Sequence, residues 1–207
     1  MDTVVNGRPR RSMNAATDSA PRAQRRLAPE VRRRQIVLEA ARLISAAGFN
    51  AVSLADIADA CGIRKPSVLH HFPSMADLLA AVLAYRDELS YPVRHEVEDF
   101  ADPAAVNEVF RSTVEHNQQQ RELVRLYVVL RAEALDVGHP AHGYFLEREQ
   151  RALDGFARAL SWKPNPMLAA RELYSFWTGL EALWVAHPTV DMLEVWDAFA
   201  ARFFTIS

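Results

Sequence analysis

The sequence predicts an all-α protein of about nine helices. Three observations lead there. Apolar residues recur at i, i+3 and i+4 spacing along most of the 207-residue chain. Clusters of Gly, Pro, Asn and Asp cut these periodic stretches, and no segment shows the strict alternation of a strand. Finally, residues 53–72, SLADIADACGIRKPSVLHHF, carry the spacing of a helix-turn-helix.

Residues 1–28 mix Pro9, Pro21 and Gly7 with Arg8, Arg10, Arg11, Arg22, Arg25 and Arg26 and have no apolar period. They read as a disordered basic arm, either a solvated tail or a segment that tracks phosphates, and Met13 is an alternative start. From Glu30 a helix is expected, with Ile36, Ala40, Leu43, Ile44 and Ala47 on one buried stripe and Gly48 at its end. Ser53 with Asp56 three residues later reads as a capping box opening a short second helix. That Ser also sits where a helix N-terminus can meet a phosphate.

The turn follows from side-chain size and backbone freedom. Ala58 is small enough for a second helix to cross it closely, Gly62 can take the positive φ of a tight turn, and Val68 points back into the junction. Pro66 falls in the first turn of the next helix, where its missing N–H costs nothing. That helix presents Arg64, Lys65, Ser67, Leu69 and His70, among them side-chain types that reach phosphates and base edges in a major groove. His71 is expected to pack within the module beside Phe72, and Ser74 with Asp77 repeats the capping device before a fourth helix carrying Leu78 and Leu79. Adjacent histidines on a helix point in different directions, so His70 and His71 do not make a metal site by themselves. Beyond Leu78, breaks at Tyr91–Pro92, Asp102–Pro103, Asn117–Gln120, Gly138–Pro140, Lys163–Pro166 and His187–Pro188 leave helices of roughly 15 to 22 residues.

Charge is divided unevenly. Residues 1–75 hold 12 Lys/Arg against 6 Asp/Glu, a net of +6, and residues 76–207 hold 12 against 20, a net of −8. Such asymmetry suits a nucleic-acid module joined to a domain with another task. No apolar run is long enough to cross a bilayer and the N-terminus has no signal-like apolar segment, so a cytoplasmic protein without membrane contact is expected. The lone Cys61 reads as a small core residue. No Ser/His/Asp grouping, paired carboxylates, glycine-rich phosphate loop or metal-ligand spacing asks for an enzyme, a metal or a cofactor; Asp136, His139 and His142 fall in a Gly138/Pro140 loop.

Ile36 and Val37, Ala40, Gly48, Ser53, Ile57 with Ala58, Gly62, Lys65, and His71 with Phe72 occur in one order. On these, residues 30–90 resemble the tetracycline-repressor (TetR) family of bacterial one-component regulators. Two positions depart from the family pattern: Leu69 stands where a tyrosine is usual in the recognition helix and Met75 where a lysine commonly opens the next one.

The resemblance implies a DNA-binding domain over residues 29–76 and an effector-binding and dimerisation domain over 77–207. It implies a homodimer on a double-stranded, palindromic operator, with a small-molecule effector in the helical domain. Phe110, Val114, Tyr127, Leu130, Phe145 and Trp177 are the expected apolar walls, and Asn117, Arg131 and His142 the polar anchors, although the pattern also fits an ordinary core. With Arg131 as the one fixed charge, an apolar or aromatic effector is expected. The last two helices carry more apolar surface than one stripe, so Trp184, Phe199 and Phe203 are expected at the dimer interface or in the core. The expected function is a ligand-responsive transcriptional regulator, a repressor; the alternative is an architectural or protein-binding helix-turn-helix protein without an effector.

Overall fold

The computed structural model describes residues 28–90 and 102–205. The arm expected over residues 1–28 lies, apart from Ala28, outside the described residues, as does the break at Tyr91–Pro92. The described residues form nine α-helices: α1 (Pro29–Ala47), α2 (Leu54–Ala60), α3 (Lys65–His71), α4 (Met75–Ser90), α5 (Pro103–Gln118), α6 (Arg121–Glu133), α7 (His142–Ala159), α8 (Pro166–Ala186) and α9 (Met192–Phe203). The all-α class stands. The sixth and ninth helices, of 13 and 12 residues, are shorter than the breaks in the sequence suggest. Among the described residues no single helix is long and apolar enough to cross a membrane.

Local chemistry explains the N-terminal module. The Ser53 hydroxyl accepts from the Asp56 backbone N–H while the Asp56 carboxylate accepts from the Ser53 N–H at 2.8 Å, a complete capping box. The Ser53 hydroxyl also donates to the Asp56 carboxylate at 2.6 Å, and this bond, followed by that from the Ser53 N–H, holds the Asp56 carboxyl below its ordinary pKa. Gly62 takes φ 65° in the turn between α2 and α3, a conformation that costs other residues a Cβ clash. Val68 is fully buried against α2, and Pro66 lies in the first turn of α3. Cys61 is buried in this core, and burial raises its thiol pKa.

That core runs on past the module. Leu78, Leu79, Val82 and Leu83 of α4 join it, together with Leu126, Tyr127 and Leu130 of α6. Helix α1 therefore packs along α6, and two polar contacts fix the register. The buried Ser45 hydroxyl donates to the Glu122 carbonyl at 3.1 Å, and the Glu133 carboxylate accepts from the Phe49 N–H at 2.9 Å. Gly48, at φ 86° and ψ 160°, makes the turn that brings Phe49 to Glu133. A second core joins α5, α8 and α9 around Leu173, Leu180 and a fully buried Trp196.

Candidate nucleic-acid interface and internal cavity

Ser53, Arg64, Lys65, Ser67, Leu69 and His70 are all exposed, on the N-terminus of α2 and the outward face of α3. Val68 faces the other way, so the helix is pinned from beneath while Lys65 and its neighbours stay in solvent. His71 is half-buried, and burial, followed by the charges of His70, Arg32 and Arg33, lowers its pKa. Both effects favour the neutral imidazole. The rings of His70 and His71 do approach, edge to face with centroids 5.5 Å apart, closer than their adjacency on a helix suggests. No group of three or more metal-ligating side chains occurs among the described residues. Arg33 lies 4.7 Å over the Phe72 ring, tying α1 to the end of α3.

A cavity of about 380 Å³ opens among α4, α5, α6, α7 and α8. Phe110, Asn117, Tyr127 and Trp177 lie on its wall. The other expected residues do not. Val114 and Leu130 are fully buried and Phe145 is 8% exposed, all three packed into cores rather than facing the space. Arg131 stacks 5.4 Å over Tyr174, which itself lines the cavity, and His142 Nδ1 contacts the Ala134 carbonyl at 2.8 Å beside the start of α7.

The lining also contains what the sequence reading missed. Arg86 of α4 and Arg148, Arg151 and Arg158 of α7 reach the wall, with Glu181 of α8 as the acid among them. This overturns the expectation of one fixed charge at Arg131. Glu181 is 3% exposed, and its Oε1 accepts from Asn117 Nδ2 at 3.0 Å and Trp177 Nε1 at 2.9 Å. Burial raises its pKa, against the opposing pull of Arg86 and the Trp177 hydrogen bond. Arg148 donates through Nη1 to Asp87 at 2.8 Å and through Nε to the Tyr127 hydroxyl at 2.9 Å; Asp87 also accepts from the Tyr144 hydroxyl. Arg86 stacks 4.1 Å over Tyr127. Burial pushes the Tyr144 phenol above its ordinary pKa, so it stays a donor.

On the last two helices the three expected interface residues separate. Trp184 is 7% exposed, under the Arg121 guanidinium at 4.9 Å, and belongs to the core of its own chain. Phe199 and Phe203 are half-buried in a stack that also takes in Phe176, which lies 3.7 Å from Phe199. Leu183, 44% exposed, is apolar surface on the same pair of helices.

Residues 36–82 match the model for bacterial regulatory proteins of the tetR family. The chain is 32% identical over 104 residues to the HTH-type transcriptional activator FasR of Mycolicibacterium smegmatis, a match covering 48% of each protein. It is 31% identical over 105 residues to the HTH-type transcriptional regulator RutR of Escherichia coli K12, covering 50% of each. The chain thus spans about half the length of the curated relatives it matches. A solved structure of AibR in complex with isovaleryl coenzyme A and operator DNA has the same fold, with a TM-score of 0.66 at 22% identity over 84% of this chain and 98% of AibR.

Proposed function

The chain belongs to the tetR family of bacterial regulatory proteins, and on that premise we propose a ligand-responsive, homodimeric, DNA-binding transcriptional regulator. In this reading it is a repressor that a small molecule with an apolar or aromatic body releases from a palindromic operator. Residues 29–76 read DNA, and residues 77–207 bind the effector and the second copy.

One observation supports this above the others. The exposed cationic helix α3 and the cavity share two packed helices, because α4 and α6 each contribute a wall residue, Arg86 and Tyr127, and each also packs in the core of the N-terminal module. A ligand seated against those residues acts directly on the elements that position α3. On the DNA side, Ser53, Arg64, Lys65, Ser67, Leu69 and His70 face the duplex. Phe199 and Phe203, with the exposed Leu183, face the partner. Trp184 supports them from within. AibR was crystallised with both a coenzyme A thioester and operator DNA, which fits a two-ligand scheme of this kind.

The test is selection of a duplex from a random-sequence pool, then fluorescence anisotropy across a salt series. A palindromic site is expected. Lys65→Ala should weaken binding and reduce the salt slope by about one, as loss of one phosphate contact does, with no change in thermal midpoint. Unchanged affinity and slope would show that α3 does not meet the duplex.

A further inference from the structure

Helix periodicity places Arg148, Arg151, Gly155 and Arg158 on one face of α7, and all four line the cavity. The opposite side is aromatic, with Phe110 of α5 6.0 Å from Trp177 of α8, and Phe156, on α7 itself beside Gly155, meets Phe110 edge to face at 4.9 Å. One wall is therefore a row of guanidinium groups and the other an apolar surface. Resting on the reading that this cavity receives the effector, we propose that the effector is an amphipathic organic anion. Its acidic group is held by Arg151 and Arg158 and its apolar body lies against Phe110, Phe156 and Trp177.

Charge balance drives the assignment. Four arginines line the cavity against one carboxylate, Glu181. Asp87 offsets part of this excess through its 2.8 Å bond to Arg148 and its 3.6 Å approach to Arg86. Arg86 is buried and Arg148 half-buried, and both are committed to the Asp87–Tyr127–Tyr144 cluster. Among the described residues Arg151 and Arg158 have no comparable acid: Arg151 Nε donates to the Glu147 carbonyl at 3.3 Å, and both side chains are exposed. Planar guanidinium groups suit carboxylate and phosphate oxygens, which accept two parallel hydrogen bonds. A cationic ligand is disfavoured by the surplus positive charge, and Glu181 offers it little, since Oε1 already accepts from Asn117 and Trp177.

The space fits. At about 380 Å³ the cavity lies near the small end of ligand pockets, roughly 300–1,000 Å³. Gly155 leaves it open between the arginines, because a Cβ there would meet only Arg158 Nη2, at 3.8 Å.

Four probes with one alkyl chain test the proposal: octanoate, octyl phosphate, octan-1-ol and octylamine, titrated calorimetrically into the full-length protein without DNA. The anions should bind saturably, and the alcohol and amine at least about tenfold more weakly, the scale of a lost charge-assisted hydrogen bond. The tighter of the two anions identifies the headgroup as carboxylate or phosphate. The double variant Arg151→Ala/Arg158→Ala should lose about tenfold for the anions and nothing for the alcohol. Its thermal midpoint should stay put, because both side chains are exposed. Octan-1-ol or octylamine binding as tightly as the anions, an unchanged anion affinity in the double variant, or no saturable binding of either anion overturns the proposal. A second arm titrates octanoate into the protein–operator complex. Anion-selective binding that leaves operator affinity unchanged supports the cavity chemistry and overturns only the regulatory reading.

Discussion

Gly48 and Glu133 should be energetically coupled, and a double-mutant cycle measures by how much. Gly48 sits at φ 86° and ψ 160°, a region essentially restricted to glycine, so Gly48→Ala carries a backbone cost of about 1–3 kcal/mol. The added Cβ would also come to 2.6 Å from Glu133 Oε1. The carboxylate must then withdraw, giving up its bond to the Phe49 N–H at 2.9 Å and the longer contact to the Asn50 N–H at 3.5 Å. Loss of a hydrogen bond to a charged group costs about 1.5–3 kcal/mol. In a Glu133→Ala background the withdrawal has already happened, and Gly48→Ala should cost only its backbone strain. The two single variants should therefore sum to more than the double variant by about 1.5–3 kcal/mol. Urea denaturation at matched protein concentration provides the four free energies, the matching being needed because assembly shifts apparent stability. Additivity within about 0.5 kcal/mol, the behaviour of independent sites, would refute the clasp between the α1–α2 turn and α6.

Two further perturbations address the cavity. Gly155→Leu should abolish octanoate binding by filling the space between Arg151 and Arg158 without lowering the thermal midpoint, since removing a helical glycine favours the fold by roughly 0.5–1 kcal/mol; calorimetry and a melting curve check both halves. Glu181→Gln keeps an acceptor for Asn117 and Trp177 but removes the buried charge. Because burial raises the Glu181 pKa above its ordinary 4.5, the native state holds that proton longer than the unfolded chain does, and stability falls as pH rises from about 4.5 to the raised value. The variant should lack that fall, and its advantage over the parent should grow towards neutral pH; equal pH profiles in chemical denaturation would place the Glu181 carboxylate in solvent.

Features fixed by neighbours in sequence were legible in the sequence, and features assembled from distant helices were not. Ser53 with Asp56, Ser74 with Asp77, Gly48 and Gly62 act within three or four residues, and each appears in the structure in the conformation its type dictates. The cavity walls come from five helices. Apolar periodicity marks a residue as inward-facing, but it does not tell whether a cavity or a packed side chain lies inward. Phe110 and Val114 share one face of α5, yet the first lines the space and the second is closed into the core. The arginines of α7 do not by themselves announce a cavity, because the surface facing them lies on α5 and α8. A signal was present in their spacing about Gly155 and Phe156, and another in Glu181, a single carboxylate inside the apolar run from Phe176 to Trp184.

Under the proposed function, the same geometry decides which way a ligand acts on the duplex-facing helix. Arg86 lies eleven residues after Met75, so at 1.5 Å per residue the cavity end of α4 is about 16 Å from the end that follows α3. A rotation of about 5° pivoting at Arg86 moves the Met75 end by about 1.4 Å, enough to take a hydrogen bond at α3 outside its working range. On the other side of the module, Ser45 and Glu133 hold α1 to α6, and α6 bears Tyr127. Arg86 and Arg148 both stack on that Tyr127 ring and both approach Asp87. An anion held by Arg151 and Arg158 brings negative charge to the same face of α7 as Arg148, weakens the hold of Arg148 on Asp87, which lies on α4 itself, and so loosens α4 from α7 while α6 keeps its grip on α1. The module is then held at α1 and released at α4, and the recognition helix turns relative to the dimer. Linkage requires the anion to bind this loosened arrangement more tightly than the one the operator selects, by the same factor with which it weakens DNA binding.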